Sequence, residues 1–224
     1  MFKNLMQFVK GKDFLSQTIS DFKKMLETAE SMYTKVIEKL FLIEDKKDLK
    51  DSIYDLDEKI NVLEKDIRTR IMEHLTLQPT IDLSTSLVLM SVVKDAERLG
   101  DYIKNILEVT ELFAEPMDKK EYAELFNDID RNISELFQIT IRAFVCSDEN
   151  KASDAFDYER KIAKKTDKLI EHLANSKLST NKAVCYTLLC RHYKRITAHL
   201  TNIATSVILP LSEIDFYQKE VKDQ

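Results

Sequence analysis

The chain has 224 residues, a formal net charge of −5, 44% hydrophobic and 33% charged residues, and only two glycines and three prolines. That length allows one large domain or two small ones with ample core, while so few turn-forming residues point to long helices. The acidic balance without a basic stripe excludes nucleic acid as a direct partner, and no apolar run approaches the roughly 20 residues of a membrane span.

Residues 1–13 are a mixed segment with Phe2, Leu5, Met6, Phe8 and Val9 apolar, expected to dock on the body. From Phe14 to about Ile43 the stripe Phe22, Met25, Ala29, Met32, Val36, Leu40 marks a first amphipathic helix, followed by a charged turn at Glu44 to Asp48. A second helix carries Leu49, Ile53, Leu56, Ile60, Leu63 and Ile67, a heptad seam suited to packing along antiparallel neighbours, and ends near Leu77 before Pro79. The third opens with Asp82 or Ser84 as N-cap and runs to about Phe113, with Val92, Ala96, Leu99, Ile103 and Ile106 inward; Pro116 then interrupts the chain.

A fourth helix follows, with Tyr122, Leu125, Ile129, Ile133, Leu136, Phe137 and Phe144 on one face. The polar stretch Ser147 to Asp154 is expected to be a turn, a fifth helix to span about Ala155 to Ala174, and a sixth about Asn181 to Ile208, stopped by Pro210. The tail after Leu211 ends in a charged, frayed segment. Cys146, Cys185 and Cys190 are odd in number and lack CxxC spacing, which reads as reduced, buried thiols. With no basic-then-apolar leader at the N-terminus, the expected compartment is the cytoplasm.

The order is three helices, a proline break, and three helices again. Offset by 97 residues, Arg98, Asn105 and Ile106 fall on Arg195, Asn202 and Ile203, while Leu99 and Ile103 fall on Ile196 and Leu200. The expected fold is therefore all-α, two tandem three-helix bundles of six long antiparallel helices. The segments are 1–13, a first bundle at 14–115, a second at 117–210 and a tail at 211–224.

Chemistry concentrates on the third helix. Glu97 and Asp101 are four residues apart, a repulsion costing roughly 0.2–0.5 kcal/mol. Gly100 between them is about 1 kcal/mol worse than alanine in a helix. A hard cation would offset the first, and close approach of a neighbouring helix explains the second; the alternative is an exposed acidic pair with a tolerated glycine. In a hairpin folded about Pro79, Asp57 stands level with Asp101 and Asn61 with Glu97, each pair equidistant from the turn. Four side-chain oxygens at one level, without His or Cys, suit iron, manganese, magnesium or calcium. The same construction in the second half pairs Glu159 with Ala198 and Ala163 with Lys194, so most of the oxygens are gone there and a metal would be poorly held; Lys194 is expected to pair with Glu159. No glycine-rich phosphate loop exists, and no phosphate cage is legible, so any phosphate sensing is expected to be indirect.

These residues resemble the PhoU family. Its third-helix pattern is similar to Glu97-Arg98-Leu99-Gly100-Asp101-Tyr102 with Asn105-Ile106, and a second copy reads Lys194-Arg195-Ile196-Thr197-Ala198-His199 with Asn202-Ile203, both acids lost. Asp57-xxx-Asn61 and Glu159-xxx-Ala163 resemble the second-helix motifs imperfectly. The resemblance spans Phe14 to Pro210. It implies a bacterial-type, non-enzymatic regulator of inorganic phosphate uptake and signalling. Such a protein contacts a phosphate transporter component or a membrane histidine kinase, is peripheral to the membrane through those partners, and admits a homodimer. It also implies metal, iron foremost, at Asp57, Asn61, Glu97 and Asp101. Two alternatives stand beside it: a metal-free helical adaptor, and a carboxylate di-iron enzyme. Against the latter, none of His74, His172, His192 or His199 has Glu three residues before it, as such bundles use.

Overall fold

The heptad seam of the second helix is buried as its spacing demands. Leu49, Ile53, Ile60 and Ile67 are at most 5% exposed, and Leu56 and Leu63 pack against the same core. Each fully buried isoleucine contributes about 1.5–3 kcal/mol of apolar burial. The computed structural model describes residues 2–41 and 46–214. Among these, the helices are α1 (Phe2–Lys39), α2 (Lys46–Leu77), α3 (Leu83–Leu112), α4 (Lys119–Phe126), α5 (Ile129–Cys146), α6 (Glu149–Ala174) and α7 (Thr180–Thr205), with a 3-10 turn at Leu211–Glu213.

Four helices, α1, α3, α5 and α7, form an inner layer; α2 covers α1 and α3, and α6 covers α5 and α7. The two bundles share one continuous core, containing Phe22, Met25 and Met32 from α1 and Phe137, Tyr186 and Tyr193 from the second half. Its most extensive seams are between α3 and α7 and between α6 and α7. Within each half the outer helix runs antiparallel to both neighbours: Lys35 meets Ser52 and Asp21 meets Arg70 across α1 and α2, while Tyr158 meets Glu135 and Lys161 meets Asn132 across α6 and α5.

The chain departs from the sequence-based expectation in four places. The expected fourth helix is two, α4 and α5, so the described residues form seven α-helices where six were expected; Asn127 adopts φ 54°, a left-handed value that breaks the hydrogen-bond ladder and that Asn tolerates better than most residues. The expected turn at Ser147 to Asp154 shrinks to Ser147 and Asp148, because Asp148 accepts from Lys151 N and caps α6 at once. Helix α1 begins at Phe2, so the first segment continues the helix. Cys146 is exposed at the end of α5, whereas Cys185 and Cys190 are buried. Ile43 and the charged end of the tail, residues 215–224, lie outside the described residues. Asp82 does precede α3, but in a left-handed conformation without a side-chain cap bond, 3.8 Å from His74 Nε2.

Asp128, at the start of α5, is tied to Lys165 of α6, with Arg131 at 3.3 Å and Lys161 at 3.9 Å. The Lys165 hydrogen bond holds its carboxyl down at about 2, against an ordinary value near 3.8. A lowered carboxylate stabilises the fold fully above its ordinary value, and that contribution is lost as pH falls through about 2. Asp128→Asn is therefore expected to lower the melting temperature at pH 6, with the gap from the parent closing between pH 4 and 2. Paired thermal melts across that range measure it; a gap constant with pH would show that the carboxylate's charge is not what stabilises α5 against α6.

Candidate functional site

The hairpin of α2 and α3 is antiparallel, as Lys50 to Glu111, Tyr54 to Glu108 and Lys94 to Glu64 all attest. It brings Asp57 and Asp101 onto one shared lysine, with Asn61 bonded to Asp57 and Glu97 bonded instead to Lys94. Asp57 is only 6% exposed, and Asn61 Nδ2 donates to its Oδ2 at 3.4 Å. Gly100 is where the helices come closest. A Cβ there would sit 2.8 Å from Asp57 Oδ1 and 3.3 Å from Ile60 Cδ1, so this glycine answers a close approach.

Asp57 cannot swing freely away, because Lys104 Nζ donates to its Oδ2 at 2.6 Å. Alanine would gain about 1 kcal/mol of helix propensity but displace a charge-assisted bond worth about 1.5–3 kcal/mol. Gly100→Ala is thus expected to destabilise by about 1 kcal/mol. In an Asp57→Ala background the same change is expected to stabilise, and urea titration of the four proteins of the cycle reads the reversal.

Lys104 is the residue that sequence reasoning missed. Its ammonium also lies 3.3 Å from Asp101 Oδ1, and 5.7 Å from the Tyr54 ring centre. Burial alone would lower its pKa, but the bonds to Asp57 and Asp101 outweigh that and raise it. Asp57 is raised too: burial does most, Lys104 opposes it, and the neighbouring charges of Asp101 and Glu97 add to it. Lys104 is raised because its ammonium serves two carboxylates, whereas Asp57 is raised because its burial outweighs the single lysine beside it. The remaining acids have their own partners: Lys94 Nζ is 2.8 Å from Glu97 Oε2, and Arg98 Nη1 is 2.9 Å from Asp101 Oδ2. As arranged, these residues do not fit a metal ion. Lys104 occupies the space between the two carboxylates a cation would bridge, and among the described residues no three His, Cys, Asp or Glu converge as ligands.

The matching level of the second half is a pocket of about 200 Å³ between α6 and α7. Glu159, Ala163, Lys194 and Ala198 line it together with Arg191 and Arg195. Lys194 bonds Asp167 at 2.6 Å rather than the expected Glu159. Burial pushes the Glu159 carboxyl up, with Arg160 and Lys194 pulling the other way.

His199 joins the two repeats. Its Nδ1 lies 2.6 Å from Asp95 Oδ1, and Asn202 Nδ2 donates to the same oxygen at 3.2 Å. Tyr102 stacks on His199, with ring centres 5.5 Å apart, and approaches His192 at 6.0 Å. Asp95 with His199, and Tyr102 with His192, are each equidistant from residue 147, so α3 and α7 meet about a pseudo-twofold axis.

Two fused three-helix bundles with a carboxylate belt on one hairpin define a class of all-α protein. The PhoU domain model matches residues 22–110 and 126–207, and the chain belongs to the PhoU family. It is similar to the phosphate-specific transport system accessory protein PhoU homolog 1 of Thermotoga maritima, 23% identical over 200 residues, which are 87% of this chain and 79% of that protein. The fold is shared with the phosphate transport system regulatory protein PhoU from Streptococcus pneumoniae (TM-score 0.73, 18% identity, 94% of this chain and 97% of that one). It is shared also with PhoU from Pseudomonas aeruginosa (TM-score 0.74, 20% identity, 88% of this chain and 96% of that one). Among the described residues no helix is long and apolar enough to cross a membrane.

Proposed function

We propose that this chain is a non-enzymatic regulator of inorganic phosphate transport and signalling, acting by contact with a phosphate transporter component or a membrane histidine kinase. Family membership over both repeats carries the reading. The molecule also offers a surface for contact. Around the α2–α3 turn, Met72, Leu77, Ile81, Leu83 and Leu87 are 64%, 79%, 46%, 43% and 39% exposed. A concentration of exposed apolar side chains at one end of a hairpin suits a protein partner.

The geometry at Lys104 supports the metal-free form of this regulator, with Lys104 supplying the charge for which the resemblance implies iron. The test is deletion of the gene, with complementation by the parent chain and by Leu77→Asp/Ile81→Asp. Deletion is expected to uncouple phosphate uptake from external phosphate, and the parent but not the double variant to restore it. Uptake that responds normally in the deletion strain would overturn the regulatory role; full rescue by the double variant would overturn the contact surface.

A further inference from the structure

At two matching positions both repeats carry a cation, but only the first keeps the acids beside them. On α3, Lys94 and Arg98 are each neutralised by an acid one turn away, Glu97 and Asp101. At the equivalent positions of α7 the cations persist as Arg191 and Arg195, but the acids have become Lys194 and Ala198. Across the groove, Asn61 becomes Ala163, which leaves space where the first repeat has an amide. The result is the pocket of about 200 Å³. Arg191 and Arg195 have no ionic partner among the described residues, and Arg191 stands one turn from both Lys194 and Arg195, which repel it.

We propose that this pocket binds a small tetrahedral oxyanion, inorganic phosphate above all. The oxyanion takes the place of the two lost carboxylates. Planar guanidinium forks match its oxygens in pairs, while Lys194 lines the same face with its ammonium already bonded to Asp167 at 2.6 Å. Glu159 on the opposite wall gives the site a preference. Its carboxylate accepts a hydrogen bond from the P–OH of hydrogen phosphate, a donor that sulfate lacks at neutral pH. Such a site would let the chain sense phosphate directly, where the sequence suggests indirect sensing through partners. It stands apart from the regulatory reading, since either can fail without the other.

The test is calorimetric titration of the full chain with inorganic phosphate at constant ionic strength, with sulfate and O-phosphoserine in parallel. Saturable binding of one phosphate per chain is expected, weakened about tenfold or more in Arg195→Gln and abolished in Arg191→Gln/Arg195→Gln. Both arginines are exposed and unpaired, so the double variant is expected to melt no lower than the parent. Glu159→Gln is expected to shrink the preference for phosphate over sulfate. Phosphate bound as well as or better than O-phosphoserine supports the free ion as occupant, and O-phosphoserine alone supports a phosphoryl group carried by another molecule. No saturable binding of either, or equal binding by the double variant, overturns the site.

Discussion

Lys104→Met is expected to destabilise the protein by about 2–3 kcal/mol at pH 7, less than the 3–5 kcal/mol of a fully buried pair because the lysine is partly exposed. For a chain of this length that lowers the melting temperature by about 5–10 °C. Methionine keeps the packing of the stem but leaves Asp57 nearly buried beside Asp101 and Glu97 with no cation of its own. The carboxyl, already raised by burial, is then raised further. A raised carboxyl costs stability as pH climbs from its ordinary value to its folded one, so the deficit of the variant is expected to be greatest at neutral pH and to vanish towards pH 4. With the ammonium gone, a divalent cation has room between Asp57 and Asp101. Manganese at 100 times its dissociation constant would return about 2.7 kcal/mol. The parent, with Lys104 in place, is expected to show no manganese-dependent shift. Melts of both proteins over pH 4–8, with and without manganese, decide it: equal melting temperatures would refute Lys104 as the cation of the belt, and a parent that melts higher with manganese would refute the metal-free reading.

What the sequence could reveal depended on whether a constraint was local. Gly100 was legible because its cost is a property of the residue, and the helix approach at Asp57 and Ile60 accounts for it. The level pairing of Asp57 with Asp101 followed from one turn and one helical rise. Lys104 lies three residues beyond Asp101 on the same face, but a lysine at that spacing is usual on a solvated helix and does not by itself mark the cation that joins two acids. The break between α4 and α5 was less accessible, since an apolar stripe continues through it and only the positive φ of Asn127 divides the helix. His199 was hidden for another reason. Its partner Asp95 lies in the other repeat, and the pairing appears only when the hairpin symmetry argument is applied to α3 against α7, about residue 147.

That symmetry also explains how the repeats came to differ without harming the fold. The apolar positions that build the shared core are kept at the offset, Leu99 with Ile196 and Ile103 with Leu200, all fully buried. The inter-repeat contacts use Asp95, Tyr102, His192 and His199. The charged belts lie on the outward side, against α2 and α6. Changes there leave the shared core intact, so one belt could remain balanced by Lys104 while the other became cationic.

Tyr122→Phe is expected to be the costliest conservative change away from the belts, at about 2–3 kcal/mol. Tyr122 of α4 donates to Asp130, at 2.8 and 2.9 Å from its two oxygens, and meets the Tyr193 hydroxyl at 2.5 Å. Its ring stacks on Phe126 and meets Phe41 edge-on, so α4 closes one end of the joint core. Burial raises the Asp130 carboxyl, and the hydrogen bonds from tyrosines, Tyr122 first, pull it back. Phenylalanine preserves the stacking and removes that donor, leaving a charged group short of a partner in a low-dielectric site. The carboxyl is then raised further, so the penalty is expected to be largest near neutral pH and to shrink as pH falls and Asp130 takes up a proton. Asp130→Asn in the same chain, which removes the charge, is expected to recover part of the loss at pH 7 and none at pH 4. Urea titrations of the single and double variants at those two pH values make the comparison. A Tyr122→Phe penalty independent of pH would show that the network holds α4 by shape, and that the charge of the half-buried Asp130 plays no part in closing the core.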